Sequence, residues 1–399
     1  MQATPNVGHP SGIAITAEFT VVSPISTFTS YVTNFFISGK IDRDRRILSA
    51  DPITNNELTD TSWIEATLPM AFAGLGIRKT VDLAHPAYFS SIFQSEELSN
   101  QILAKTEIRI VDPNLSSMIS EYPTELTPPS EELKKVQSSW DNLCSKSTFE
   151  TLLSSSGSTD RARLLASSTK PSSKWLQAVP SHQLELLLDN DSARVAVALR
   201  LGNKICEPHQ CVCGEMVDPK GHHGLSCNKT KGKYPRHGEI NKIFSMAFCS
   251  AGFPNTLEPY GLSRRDGKRP DGVTSYPWSR GRPLLWDVTV VNSIAASYLN
   301  TTSHSSGAAA DEAERYKHNN YIDLKSTYNF TPLAFETLGS VGPETTIFLK
   351  KLGKLMKKNT GETRSLDFLL QRVSIAIQRG NAICIRDTYD VGRDFNVFM

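Results

Sequence analysis

Arg269-Pro270-Asp271-Gly272 is followed, after a short turn-rich interval, by Trp286-Asp287-Val288-Thr289-Val290. Residues 284–291 are β-branched and apolar and read as a buried strand. Pro277 and Gly281 predict a turn over 276–281. A period of two puts Leu285, Asp287, Thr289 and Val291 on one face. A hairpin centred near Ser279 then sets Asp271 opposite Asp287. Two carboxylates close together, with room for water, make a Mg²⁺ site. Such a metal polarises a phosphoryl oxygen and lowers the pKa of an attacking water. The plain structural alternative is a turn cap at Asp271 and a satisfied Asp287. An aspartate among Leu285, Trp286, Val288 and Val290 is costly to bury unless a cation or hydrogen-bond donors compensate it.

Downstream, residues 311–324 read as a helix with Ala310, Ala313, Lys317, Asn320 or Tyr321, and Leu324 along one side. Lys317 can bring an ammonium to an attacking water or to developing phosphorane charge. Glu314, one turn earlier, is a candidate outer acid. Spacing alone also fits a solvated surface lysine.

Upstream lies a Cys/His cluster: Cys211-Val212-Cys213, then His222, His223 and Cys227. Thiolates and imidazoles at this spacing suit tetrahedral Zn²⁺. Gly214 and Gly221 allow the tight backbone of a knuckle. Cys206, His209 and His237 also lie nearby. The preferred set is Cys211, Cys213, His223 and Cys227, with His222 able to replace His223. Four protein ligands leave no open position, so the zinc is expected to be structural. The competing reading is an ordinary loop with unliganded thiols.

Basic residues flank both motifs. Arg264, Arg265, Lys268 and Arg269 precede Asp271 and can guide a nucleic-acid backbone to the metal. Arg236-His237 begins a helix and can touch phosphate or brace the knuckle. In residues 348–358, Phe348, Leu352, Leu355 and Met356 form an apolar stripe, with Lys350, Lys354, Lys357 and Lys358 elsewhere on the turn. Such a ridge either neutralises phosphates or is a solvated face. Nothing in the sequence reads base identity.

The N-terminal half reads as helical. Helices are expected over 24–38, around 64–68, over 82–94 and over 130–143, with a loop and turn at Leu68-Pro69 and 74–78. Four prolines make 111–130 a linker. The Ser-rich 154–173 is expected to be partly exposed. Asp191 or Ser192 is the expected N-cap of a helix over 193–201, with Gly202 at its end. The expected division is a helical region over 1–110, a linker and helical region over 111–200, a knuckle over 201–235 and a nuclease domain over 236–399.

The chain has 399 residues, 39% of them hydrophobic and 21% charged, which fits a globular protein of two or three domains. A net charge of +2 excludes a uniformly basic coat but permits local patches. Seven cysteines, four of them between Cys206 and Cys227, make a poor disulfide framework and fit a metal site in a reducing compartment. No signal peptide is evident, and no apolar run approaches the ~20 residues of a membrane span, so a soluble intracellular protein is expected.

The motifs carry a family likeness. Cys211-x-Cys213-Gly, His223-x-x-x-Cys227, Arg236-His237, Leu257-Glu258-Pro259, the R-P-D-G and W-D-V-T-V stretches, and Ala313-Glu314-x-x-Lys317 resemble, in this order, the C-terminal region of non-LTR retrotransposon proteins. These carry a restriction-like endonuclease of the PD-(D/E)xK superfamily after a reverse transcriptase. Leu68-Pro69, 74–78 and Ala84-His-Pro-Ala-Tyr88 resemble the stretch just after the polymerase core. The likeness covers roughly residues 60–395 and is most specific in the nuclease part.

The resemblance implies an α+β chain: a helical N-terminal half, a small zinc knuckle and a C-terminal α/β/α core of restriction-endonuclease type. It matches Asp271 to the first acid and Asp287 to the second. The superfamily's usual lysine position, two residues after the second acid, is Thr289 here. In the retrotransposon version that work moves to a helix ending in K-x-x-K-Y. This chain has Lys317-His-Asn-Asn320-Tyr321, so Asn320 replaces the second lysine. The implied cofactors are structural Zn²⁺ and catalytic Mg²⁺ or Mn²⁺. The implied partners are DNA, the element's RNA and the reverse-transcriptase portion of the same protein, in the nucleus. No Tyr/Phe-x-Asp-Asp polymerase signature occurs, so no DNA synthesis is expected from this chain. It reads as a piece or a decayed copy of a longer element protein. An inert nucleic-acid-binding zinc module is the alternative.

Overall fold

A computed structural model describes residues 58–104, 119, 127–262 and 269–389. The helix expected over 24–38, most of the 111–130 linker, and Arg264, Arg265 and Lys268 lie outside the described residues. The described chain mixes helices with two small sheets. Its helices are α1 (Asp60–Thr67), α2 (Thr80–Leu103), α3 (Gln137–Ser155), α4 (Ser158–Ser167), α5 (Asn190–Leu201), α6 (His222–Ser226), α7 (Lys233–Ser250), α8 (Leu299–Thr302), α9 (Ala308–Asn320), α10 (Pro343–Thr360) and α11 (Ser365–Arg386). The strands are β1 (His209–Gln210), β2 (Met216–Val217), β3 (Asn255–Leu257), β4 (Gly272–Thr274), β5 (Leu284–Val291) and β6 (Asn329–Glu336).

The larger sheet has the order β3-β4-β5-β6. The first three strands are antiparallel, and β6 pairs parallel to β5. A parallel pair needs a long crossover, and α9 lies within it. The central strand β5 packs Trp286 and Val288 into the main core with Phe244, Phe248, Leu333, Phe335, Phe348, Leu352 and Val373. These come from α7, β6, α10 and α11. The opposite face meets α9, where Val291 and Ala334 pack on Ala310 and Ala313. Small residues on both sides let helix and sheet approach closely.

Two buried carboxylates fix α9. Glu336, at the end of β6, accepts from the N–H groups of Ala309 (3.1 Å) and Ala310 (3.3 Å). Glu314 accepts from Glu344 N (3.0 Å) and from both the N–H (2.8 Å) and the hydroxyl (2.6 Å) of Thr345. Each carboxylate fills orphan donors at a helix start, where negative charge is favourable. Glu314 therefore secures α10 and is not an outer acid of the carboxylate pair, as its spacing from Lys317 had suggested.

The long helix α11 is the shared support. It packs against α5, α6, α7, α10 and the 3₁₀ segment Pro171–Gln177. Ile375 joins a core with Ala66, Trp175, Leu186 and Val197. Ala382 and Ile385 join another with Ala162, Leu225 and Leu338. Apolar clusters thus cross the boundaries drawn at 200 and 235.

Several local expectations are corrected. The N-cap of α5 is Asp189, whose side chain accepts from Ser192 N at 2.9 Å, rather than Asp191 or Ser192. Gly202 does end this helix, with φ 67°. The helix read over 130–143 spans Gln137–Ser155. The Ser-rich stretch is partly exposed as expected, with Ser154, Ser155 and Ser158 exposed, while Ser167, Ser172 and Ser173 are buried and Ser172 and Ser173 bond the carbonyls of Ser167 (2.6 Å) and Met70 (3.1 Å). Hydroxyls that satisfy backbone carbonyls can be buried at little cost.

Candidate functional site

The β4–β5 register pairs Gly272 with Trp286 and Val273 with Leu285. One step further sets Asp271 across from Asp287. The Asp271 N–H donates to Trp286 O (3.0 Å), and its Oδ2 accepts from Val288 N (2.6 Å). Gly272 follows because nothing larger fits: a Cβ there would overlap the Trp286 ring.

Asp287 is only 4% exposed. Lys317 Nζ lies 2.6 Å from Asp287 Oδ1, and the Tyr321 hydroxyl donates to Oδ2 at 2.5 Å. The same hydroxyl lies 3.0 Å from Arg269 O. Burial pushes the Asp287 carboxyl above its usual range, with the Lys317 charge acting against that rise and the Asp271 charge adding to it. Residues 271, 287 and 317 therefore stand within one electrostatic neighbourhood.

Element lengths explain why Lys317 reaches Asp287. From Val291, paired with Glu336, back to Asp287 is about 13 Å of strand. From Ala309, held by Glu336, forward to Lys317 is about 12 Å of helix. The helix returns along the sheet by the distance the strand advances.

His237 was read as a phosphate contact or a brace for the knuckle. Its Nε2 instead donates to Asp271 Oδ1 at 2.9 Å. Burial disfavours its charged form, but the bond to Asp271 and the charges of Asp271 and Asp287 outweigh this and raise its pKa. Asn241, one turn later on α7, places its amide 3.0 Å from the same nitrogen. Arg236 is corrected more strongly. It is 3% exposed and donates to Asn381 Oδ1 at 2.8 Å, so it presents no guanidinium to a phosphate. Arg269 is partly exposed and ion-paired with Glu258. The sequence singled out His237 but not its partner Asp271, whereas Tyr321 stood at the end of the K-x-x-K-Y comparison.

The knuckle brings four ligand atoms within 4.8 Å of one another: those of Cys211, Cys213, His223 and Cys227. The β1–β2 hairpin turns through Gly214 (φ 96°), placing Cys211 and Cys213 together. Gly221 (φ 68°) then starts α6, and Cys227 follows His223 by one turn, its N–H donating to His223 O at 2.9 Å. His222 is not in the set; its N–H donates to Asp218 Oδ2 at 3.0 Å. Cys206 Sγ instead lies 3.5 Å from Asp218 O, and His209 contacts Thr388 Oγ1 at 2.8 Å.

The donor set fits zinc. With Zn–S near 2.3 Å, tetrahedral sulfurs stand about 3.8 Å apart; Cys211 and Cys227 are 3.7 Å apart. Cys213 Sγ is 3.2 Å from His223 Nε2. Burial pushes the Cys211 thiol up to about 12 in the metal-free chain. Cys227 is lowered despite burial, helped by the Lys229 N–H.

Asp271 and Asp287 also suit a hard cation. Each oxygen is engaged once by protein and keeps a further lone pair. One or two carboxylates completed by water and phosphate is a common Mg²⁺ environment. No protein-family model and no curated protein matches the chain.

Proposed function

We propose that the chain is a metal-dependent DNA endonuclease that nicks a target for retrotransposon integration, with the 236–389 part a restriction-endonuclease-like α/β/α core. The observation that carries this reading is the buried Asp287 with Lys317 at 2.6 Å, beside Asp271 on the neighbouring strand. Burying an acid among Leu285, Trp286 and Val288 is expensive, and function is a reason to keep it there. Mg²⁺ or Mn²⁺, held by Asp271 and Asp287, supplies Lewis acidity at the scissile phosphate and a more acidic water. Lys317 places positive charge where negative charge grows. Tyr321 fixes the Asp287 carboxylate, and His237 fixes that of Asp271. Zn²⁺ on Cys211, Cys213, His223 and Cys227 has a structural role, tying the β1–β2 hairpin to α6.

A nucleus-located element protein with DNA and element RNA as ligands, and the reverse-transcriptase portion as partner, follows from the sequence resemblance. The second reading is an inert zinc-bearing nucleic-acid-binding module; Thr289 and Asn320, at positions where lysine is usual, favour it. Plasmid nicking with Mg²⁺ or Mn²⁺ separates the two. Loss of nicking in Asp287→Asn with retained DNA binding supports the enzyme. Binding without nicking by the wild type supports the module.

A further inference from the structure

Residues 350–358 of α10 are strongly basic for a chain of net charge +2. Lys350, Lys354, Lys357 and Lys358 are all exposed. Among the described residues none is in an ion pair. The acids at the helix ends are occupied elsewhere: Glu344 with His318 at 2.5 Å, and Glu362 Oε1 with Arg364 N at 2.7 Å. At 3.6 residues per turn the four lysines fall within an arc of about 100°. From Lys350 to Lys358 the helix rises about 12 Å. One strand of duplex DNA offers a phosphate every ~3.4 Å of axis, so this ridge spans three to four phosphates.

The ridge lies on the solvent side of α10, which covers the sheet face opposite the one that carries Asp287 and α9. Its neighbour Lys351 lies 4.8 Å from the centroid of the Trp278 ring, in the β4–β5 turn. The start of β5, next to that turn, is about 10 Å along the strand from Asp287.

We infer that the Lys350–Lys354–Lys357–Lys358 ridge of α10 binds the phosphate backbone of duplex DNA, from the sheet face opposite the Asp271/Asp287 site. This deepens the nuclease reading by assigning it a sequence-independent contact surface. The same charges could attract an anionic bilayer, but an interfacial helix needs a free apolar face. Here Phe348, Leu349, Leu352 and Met356 are buried in the main core, which leaves only charge to offer.

The test measures affinity for a mixed-sequence DNA duplex from ~50 to ~200 mM salt, where each neutralised phosphate contributes about −0.9 to the log–log slope. The full chain is compared with a variant carrying Lys350→Gln, Lys354→Gln, Lys357→Gln and Lys358→Gln. The expected slope is shallower by about 3 in the variant. Asp287→Asn should lose nicking and keep the wild-type slope. An unchanged slope in the lysine variant overturns the ridge and leaves the nuclease reading intact. The expected slope loss in the lysine variant, together with a wild type that never nicks, supports the ridge and removes the enzyme. Binding to phosphatidylserine vesicles that depends on these lysines, with duplex binding independent of them, also overturns the ridge.

Discussion

Gly272 and Trp286 give the sharpest test of the hairpin that carries both acids. A Cβ on Gly272 would meet Trp286 Cζ2, Cη2 and Cε2, all well inside the 3.0 Å that real Cβ atoms keep. To reach an ordinary contact near ~3.5 Å, ring or strand must retreat by about 1.5 Å. Trp286 is fully buried, with its ring centroid 4.5 Å from that of Phe248, so little space exists to receive it. Gly272→Ala should therefore cost about 1–3 kcal/mol, towards the upper end. Trp286→Phe withdraws the part of the indole that overlaps the new methyl. It leaves roughly 40 Å³ empty, worth about 1 kcal/mol. It also removes an indole N–H that is buried without a hydrogen-bond partner among the described residues, a defect worth about 1–3 kcal/mol. Trp286→Phe alone should thus lie within about 1 kcal/mol of wild type. The double variant should be at least about 1 kcal/mol more stable than the sum of the single changes. Urea unfolding of the four proteins, read by circular dichroism, measures this. Additivity within about 0.5 kcal/mol would falsify the close contact, and with it the register that sets Asp271 across from Asp287.

Other outcomes follow from the same geometry. Lys317→Met should lower nicking by about 10²–10³-fold, as expected for a lost charge-stabilising donor, with duplex affinity retained; equal loss of both would point to misfolding. Stripping zinc with a chelator, or Cys227→Ser, should take bound zinc from about one per chain towards zero. Stability should fall with it, by on the order of 4 kcal/mol if free zinc stood at a thousand times its dissociation constant, seen as a lower midpoint of thermal unfolding. A metal-free chain with an unchanged midpoint would remove the knuckle. Asp189 has a carboxyl held below its ordinary 3.8: burial opposes this, but bonds from the Ser192 hydroxyl and N–H prevail. Its cap is therefore fully present above 3.8 and is lost as pH falls through the lower folded value. Asp189→Asn should flatten that acid dependence in urea titrations while changing stability little at neutral pH.

The hairpin was legible because it is local. Strand, turn and register follow from period two and from Pro277 and Gly281, and the structure gives β5 the span Leu284–Val291. The four knuckle ligands were legible because thiol and imidazole spacing is a local code. The choice between His222 and His223 was not, since it depends on Asp218 holding the start of α6. Arg236 misled because a guanidinium beside a histidine looks like surface chemistry, and only the packing of α7 on α11 buries it. A Cβ on Gly380 of α11 would meet the Arg236 side chain, which shows how close the two helices are. The place of His237 depends on how α7 lies against β4, a relation between elements distant in sequence. The partial exposure of 154–173 was legible from its serines, but not which of them, Ser167, Ser172 and Ser173, are buried.

The matched lengths of β5 and α9 carry an evolutionary consequence. Between Ala310 and Lys317 only the outward residues can drift, because Ala313 packs on the sheet and Glu314 holds the start of α10. The residue count of the interval cannot. Adding or deleting one position there would swing the amine by about 100° around the helix and leave Asp287 buried without its counter-ion. Among homologous chains, the outward positions of this interval should vary in spelling, but the interval should tolerate no gap.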